Sequence, residues 1–338
     1  MPRITNDTVA EHREEVLSSA RKYIYPLQHS KHKIVLFTVS IVLATLVAFF
    51  TYCTLALYRF HSTSTFIYKA TQVIPFPIAR TGGSFIAYEN YLFEVRRYRH
   101  YYETQQKLDF NSESGQQQLD EYKSRALEKV VNDAYIKKIA KQKKISVSDR
   151  EVEDQITLLR NQDRLGSSEE VLEDVLKEYF GWSRADLKRS VREQLLQQKV
   201  LAALDTDTQG RAEAALAQIN NGGDFAAIAK ATSDDVTTKD NGGDFGFAIE
   251  KSNRDLTPQT IDAIFKLQPG QVSGIINTGN GLEIFKLNEL QDGKAKTSHI
   301  VFNFKDISEF LNNLKDKQPA RTYIKMPEPQ GDTQTQAQ

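Results

Sequence analysis

The hydrophobic positions fall into three textures along the chain. From Ile34 to Tyr58 the run IVLFTVSIVLATLVAFFTYCTLALY carries no charge. As an α-helix rising ~1.5 Å per residue it reaches ~37 Å, enough to cross a ~30 Å hydrocarbon core with some tilt. A core helix of that length would rarely be apolar on every side. A cleaved signal peptide would carry a shorter apolar run behind a short basic leader. The segment is therefore predicted to be a transmembrane helix in contact with lipid.

The second texture is helical. Residues 59–84 contain Pro75, Pro77, Gly82 and Gly83 and read as an extended linker. From Tyr88 to Tyr102, aromatic and aliphatic residues recur at three- and four-residue spacing, and Leu119, Tyr122, Leu127, Val130, Val131, Ala134 and Ile139 trace one face of a second helix. Three further helices are predicted to start at Ser148, Ser167 and Ser183, each with an acidic residue three positions on (Glu151, Glu170, Asp186). A serine there accepts from an otherwise unpaired amide of the first turn. Their apolar sets are Val152/Ile156/Leu159, Val171/Leu172/Val175/Leu176/Tyr179 and Leu187/Val191/Leu195/Leu196. Residues 85–205 thus read as an all-helical domain.

The third texture begins near Thr206. Short helices alternate with glycine-punctuated stretches: Gly210–Asn220, DFAAIAKA, NGGDFGF, Pro258–Leu267, the turn QPGQ, and the strand-like GLEIFKLNEL. Such mixing predicts a small α+β domain over residues 206–326. Residues 327–338, polar and repetitive, read as a disordered tail.

Charge adds topology. Arg21, Lys22, Lys31 and Lys33 precede the apolar span, against Arg59 and Lys69 after it. The positive-inside rule then assigns residues 1–33 to the cytoplasm and the rest of the chain to the outside. Over all 338 residues, Lys+Arg and Asp+Glu are equal at 44 each, which gives no support for nucleic-acid binding. The single cysteine, Cys53, lies inside the span as a small apolar residue and allows neither an intramolecular disulfide nor a cysteine metal site.

The stretch Gly222–Leu287 resembles a parvulin-type prolyl isomerase domain. It carries, in order, Asp224-Phe225, Ser233-Asp234-Asp235, Gly242-Gly243-Asp244-Phe245-Gly246, a proline-containing helix ending Phe265-x-Leu267, and the turn Pro269–Gly274. Upstream, NDAYIKKIAKQKKISVSDREVEDQI and FGWSRADLKRSVREQLLQQKVL resemble the helical chaperone portion of SurA/PrsA-type foldases. The resemblance implies an α+β protein with a SurA-like helical domain and a parvulin domain built on a small antiparallel sheet. It implies no cofactor and no metal. Its partners would be unfolded or extended exported polypeptides containing Xaa-Pro bonds.

The same resemblance assigns site residues and shows departures. Asp235 matches the family's Cys/Asp position, Phe245 replaces the leucine after GGD, and Leu256 replaces the methionine of the proline slot. The ring-stacking phenylalanine falls on Thr260, and the histidine of the final strand on Glu283, where a carboxylate is a poor substitute for an imidazole. The family's opening strand, which carries a histidine, is missing before Gly210. However, TSHIVF (Thr297–Phe302) resembles it from the wrong end of the domain. Three readings stand: a circular permutation with His299 in the site, tolerated when a domain's ends lie close together, an ordinary strand histidine, or a truncated second repeat beginning over residues 296–325. The functions weighed are a prolyl isomerase for exported proteins, a peptide-binding chaperone with a degenerate isomerase domain, and a structural membrane protein.

Overall fold

The computed structural model describes residues 5–24, 26–162, 165 and 168–325. Two compact units divide between Ala70 and Thr71. In the first, α1 (Asn6–Ile24) precedes α2 (Pro26–Tyr58). Within α2, His32–Tyr58 is long and apolar enough to cross a membrane. Its large side chains, among them Leu36, Phe37, Leu43 and Val47, are exposed, so it is no core helix. The expected extended linker after it is a correction: residues 59–84 instead hold α3 (Thr65–Val73) and strand β1 (Pro77–Thr81). Phe66 of α3 packs against Phe49 and Tyr52 of α2, ring centroids 6.3 and 6.1 Å apart.

In the second unit, β1 turns through Gly82-Gly83 into β2 (Ser84–Ala87), then α4 (Tyr88–Thr104) and α5 (Glu113–Lys143). The helices α6 (Asp149–Asn161), α7 (Glu169–Val175) and α8 (Arg184–Leu204) follow. The predicted capping boxes at Ser148/Glu151 and Ser183/Asp186 are both present. Ser167 lies outside the described residues, and the cap of α7 is Ser168, which accepts from Val171 N–H. Where one continuous helix was expected from Val171 to Tyr179, α7 passes into a π turn at Leu176–Phe180 that ends on Gly181 (φ +64°). Val152, Ile156, Leu172, Leu176, Leu187 and Val191 form the common core of these helices.

The remaining elements are α9 (Thr206–Asn220), α10 (Phe225–Thr232), β3 (Asp244–Glu250), α11 (Pro258–Phe265), β4 (Ile276–Asn277), β5 (Gly281–Gln291), β6 (Lys294–Asn303), α12 (Ile307–Lys317) and β7 (Ala320–Thr322). An antiparallel sheet runs in the order β3-β6-β5-β4. The hairpin joining β5 to β6 turns on Asp292-Gly293, both at positive φ (51° and 74°), as a two-residue hairpin turn requires. Phe285 pairs with His299 and Ile284 with Ile300. The pairing that the permuted reading expects is present: β6 follows β5 in the chain and lies between β3 and β5 in the sheet.

Side chains alternate across this sheet. Leu282, Ile284, Ile300 and Phe302 pack on Ala212, Ala215, Phe225 and Ile228 of α9 and α10. Phe285, Leu287 and Ala295 face Ile261 and Ile264 of α11. Beyond β6 the chain leaves this domain, contrary to the assignment of 206–326 to one body. Leu311 of α12 is buried among Tyr135, Ile136, Ile139 and Ala140 of α5. β7 pairs antiparallel with β1, and Tyr135 Oη donates to Gln318 O at 2.5 Å.

Candidate functional site

The open edge of β6 organises the site. β3 covers that edge only as far as the Asp244–Ser298 pair. Beyond it, His299 N–H donates to Gly243 O at 2.8 Å. Val301 N–H donates to Ser233 Oγ at 3.1 Å and Val301 O accepts from Asp234 N–H at 2.8 Å. Asn303 N–H then reaches the Asp234 carboxylate at 2.9 Å. The Ser-Asp-Asp run and the Gly-Gly-Asp turn thus satisfy backbone groups that a central strand would otherwise leave unpaired. Docked this way, they bring Asp235 and Phe245 to the His299 ring.

His299 lies between two carboxylates. Its Nε2 is 3.0 Å from Asp235 Oδ2 and its Nδ1 is 3.1 Å from Glu283 Oε2. The three side chains are 9%, 20% and 16% exposed, respectively. With an acceptor at each nitrogen, the ring donates on both sides only when doubly protonated; in the neutral form one contact lacks a proton. Thr238 Oγ1 donates to Asp235 Oδ2 at 2.5 Å and stands 3.1 Å from His299 Nε2. Phe245 leans on the imidazole, centroids 4.2 Å apart.

Burial pushes the Asp235 carboxyl up, but it is outweighed. The hydroxyls of Thr237 and Thr238, the Thr237 amide and His299 hold it well below the usual carboxylate range. Because it ionises at lower pH folded than unfolded, its share of stability is complete above the unfolded value of ~3.9 and is lost as pH falls toward the folded one. Asp235→Asn should therefore destabilise the protein by about 1–3 kcal/mol near neutral pH. That difference should shrink as the pH drops below about 4. Denaturant titrations across pH check this; an undiminished difference in acid would mean the carboxylate is not the source.

Among the sequence-assigned residues, Asp235, His299, Glu283 and Phe245 meet in one cluster. Glu283 was expected to be a poor replacement, yet it pairs directly with the imidazole. Leu256 packs with Phe245 against Ile249, Ile261, Ile264 and Phe285. Thr260 departs from its assignment as a slot wall. It is fully buried, with its hydroxyl 2.8 Å from Thr257 Oγ1 in the first turn of α11. Thr237 and Thr238 were missed. Their signal was the Asp-x-Thr-Thr spacing, since an aspartate readily bonds backbone and hydroxyls two and three residues on.

With this geometry in place, the relatives can be compared. The PPIC-type PPIASE (rotamase) family matches residues 195–289, and the SurA-like N-terminal domain family matches residues 27–201. The chain belongs to the SurA-like N-terminal domain family. It joins that SurA-like domain to a PPIC-type domain, and the latter match stops before β6, the strand that supplies His299. The periplasmic chaperone PpiD of Escherichia coli is 34% identical over 94 residues, 28% of this chain and 14% of that one. The foldase protein PrsA of Caldanaerobacter subterraneus is 28% identical over 185 residues, covering 51% of this chain and 58% of PrsA. The chaperone SurA of Methylobacillus flagellatus is 30% identical over 114 residues, 32% and 25% of the two chains. The chain thus spans less than two thirds of each of these relatives' lengths. They are foldases and chaperones by name.

Proposed function

We propose that this SurA-like chain is a membrane-anchored extracytoplasmic foldase that binds extended exported polypeptides and isomerises their Xaa-Pro bonds. The observation that carries the reading is the Asp235–His299–Glu283 cluster walled by Phe245. An Xaa-Pro bond rotates over a barrier of ~20 kcal/mol because its C–N bond is partly double. In the twisted state the prolyl nitrogen regains a lone pair and becomes a better acceptor. A donor held at that nitrogen is then worth more in the transition state than in the ground state, the only kind of interaction that raises the rate. His299 is that donor once its Nε2–H turns from Asp235 to the entering prolyl nitrogen while Glu283 keeps Nδ1, and Phe245 and Leu256 offer apolar surface to the proline ring. Membrane lipid is the partner of Ile34–Tyr58.

A second reading, a peptide-binding chaperone with a degenerate isomerase domain, draws on Thr260. The position of the family's stacking ring is a buried threonine, so the slot lacks that ring. A protease-coupled assay on the detergent-solubilised full chain separates the readings, using tetrapeptides that vary the residue before proline. We expect measurable isomerisation, well below that of an intact parvulin, that falls at least tenfold in Asp235→Ala and in His299→Ala, a loss of about 1.4 kcal/mol or more in transition-state stabilisation. Turnover untouched by both substitutions would refute the site. No turnover, together with suppressed client aggregation, would select the chaperone reading.

Topology has its own test. The basic leading flank of the span supports a cytoplasmic N-terminus. A reporter that matures only after export should therefore be active when joined after Gln338, and a stable but silent fusion would overturn the orientation.

A further inference from the structure

Phe247 is an exposed aromatic one ring away from this cluster. β3 is an edge strand, and between its pairs Asp244–Ser298 and Ala248–Lys296 three residues, Phe245, Gly246 and Phe247, stand opposite Thr297 alone. The bulged backbone bends there, with Gly246 at φ +74° and its N–H held by the Asp244 carboxylate at 2.8 Å. The outcome is an asymmetric pair of rings. Phe245 is half-buried against His299, whereas Phe247 is 58% exposed and meets Phe245 edge-on, centroids 5.5 Å apart. A single exposed aromatic needs no explanation by itself. This one extends the apolar wall of the site outward by one ring.

We propose that Phe247 is a specificity-determining residue: it takes an aromatic or large aliphatic side chain lying one or two positions from the proline of a bound client segment. The inference rests on the proposed reading of the site, in which the proline lies on Phe245 beside His299. An extended chain advances ~3.3–3.6 Å per residue. The 5.5 Å step from Phe245 to Phe247 therefore corresponds to a near neighbour of the proline. Aromatic rings favour edge-on or offset contact with another ring, and Phe247 leaves most of its surface free for one.

The test measures binding of fluorescent proline peptides to the full chain in detergent micelles. The residues flanking proline are alanine, phenylalanine, leucine or arginine. Phenylalanine- and leucine-flanked peptides should bind about fivefold tighter than alanine-flanked ones, the scale of one ring contact. In Phe247→Ser that gap should fall below about twofold, and Phe247→Tyr should restore it. Circular dichroism of Phe247→Ser confirms folding, which an exposed position tolerates. A gap that survives in Phe247→Ser, no gap in wild type although proline peptides bind, or tighter binding of arginine-flanked peptides overturns the inference alone. Failure of every proline peptide to bind removes the inference together with the reading beneath it.

Discussion

A chain truncated after Gln291 is expected to lose the cooperative unfolding transition of its isomerase-like domain and to loosen its helical domain as well. The truncation removes β6, α12 and β7, and with them the fully buried Ile300, Phe302 and Leu311. At about 1.5–3 kcal/mol for each large apolar side chain, roughly 4.5–9 kcal/mol of burial disappears. Total stability is typically about 5–15 kcal/mol, so this loss is decisive. Polar partners go too. Asp205, buried at the start of α9, accepts from Lys305 N–H at 2.8 Å, and the Ser233–Asp234 run loses the edge it docks on. Hydrogen exchange should show β5 amides unprotected and α5 less protected near Tyr135 and Ile139. A second truncation after Phe304 keeps β6 but removes α12 and β7. It should spare β5 while still weakening α5. Unchanged β5 protection after the first truncation would remove β6 from the domain, whatever its resemblance to the family's opening strand.

The parts of this molecule that could be read in advance are those coded locally. Ser148 and Ser183 name their helices because a cap and its acidic partner sit three residues apart in one turn. The β5–β6 pairing was legible because Thr297–Phe302 resembles the strand that the family sets beside its last one. The segments that went unread are stabilised by residues far away in sequence. β7 has three residues, Ala320–Thr322, too few to display a period; it is a strand because β1, some 240 positions earlier, offers an edge. Likewise α3 and β1 sit among prolines and glycines that read as linker.

The site divides along the same line. Asp235 and Phe245 were found because they belong to short motifs whose function is to pair with β6, and His299 because β6 itself keeps a recognisable pattern. What Glu283 does could not be found that way. Set against a family histidine it reads as a loss, and only the Phe285–His299 register, which places Glu283 diagonally across from the ring, turns it into the second partner of the imidazole. Thr260 fails for the opposite reason. Alignment places it at a wall, but its hydroxyl finds Thr257 one turn away, and the helix start closes over it. Enlarging it to phenylalanine would therefore strain the packing at a cost of about 1–3 kcal/mol rather than rebuild the slot.

Gly243→Ala is expected to be among the most damaging single substitutions in the isomerase-like domain. Gly243 has φ +81°, and a Cβ there would lie 2.1 Å from His299 O, 3.1 Å from its carbonyl carbon and 3.2 Å from its nitrogen. These are backbone atoms of a central strand, so no side-chain rotation relieves the overlap. The same residues are tied by the His299 N–H bond to Gly243 O at 2.8 Å. Moving the turn away breaks that bond and carries Phe245 off the ring. The cost should reach about 3–5 kcal/mol, the range of the severe backbone and packing mechanisms combined. Gly246→Ala supplies the control. Its φ of +74° is just as unusual, but a Cβ there meets nothing within 4 Å, so it should cost only the ~1–2 kcal/mol of the left-handed backbone itself. Denaturant midpoints of the two variants in one background separate overlap from backbone strain. Equal losses would mean that the turn does not press on His299, and that the contact between the Gly-Gly-Asp motif and β6 is not what positions the imidazole.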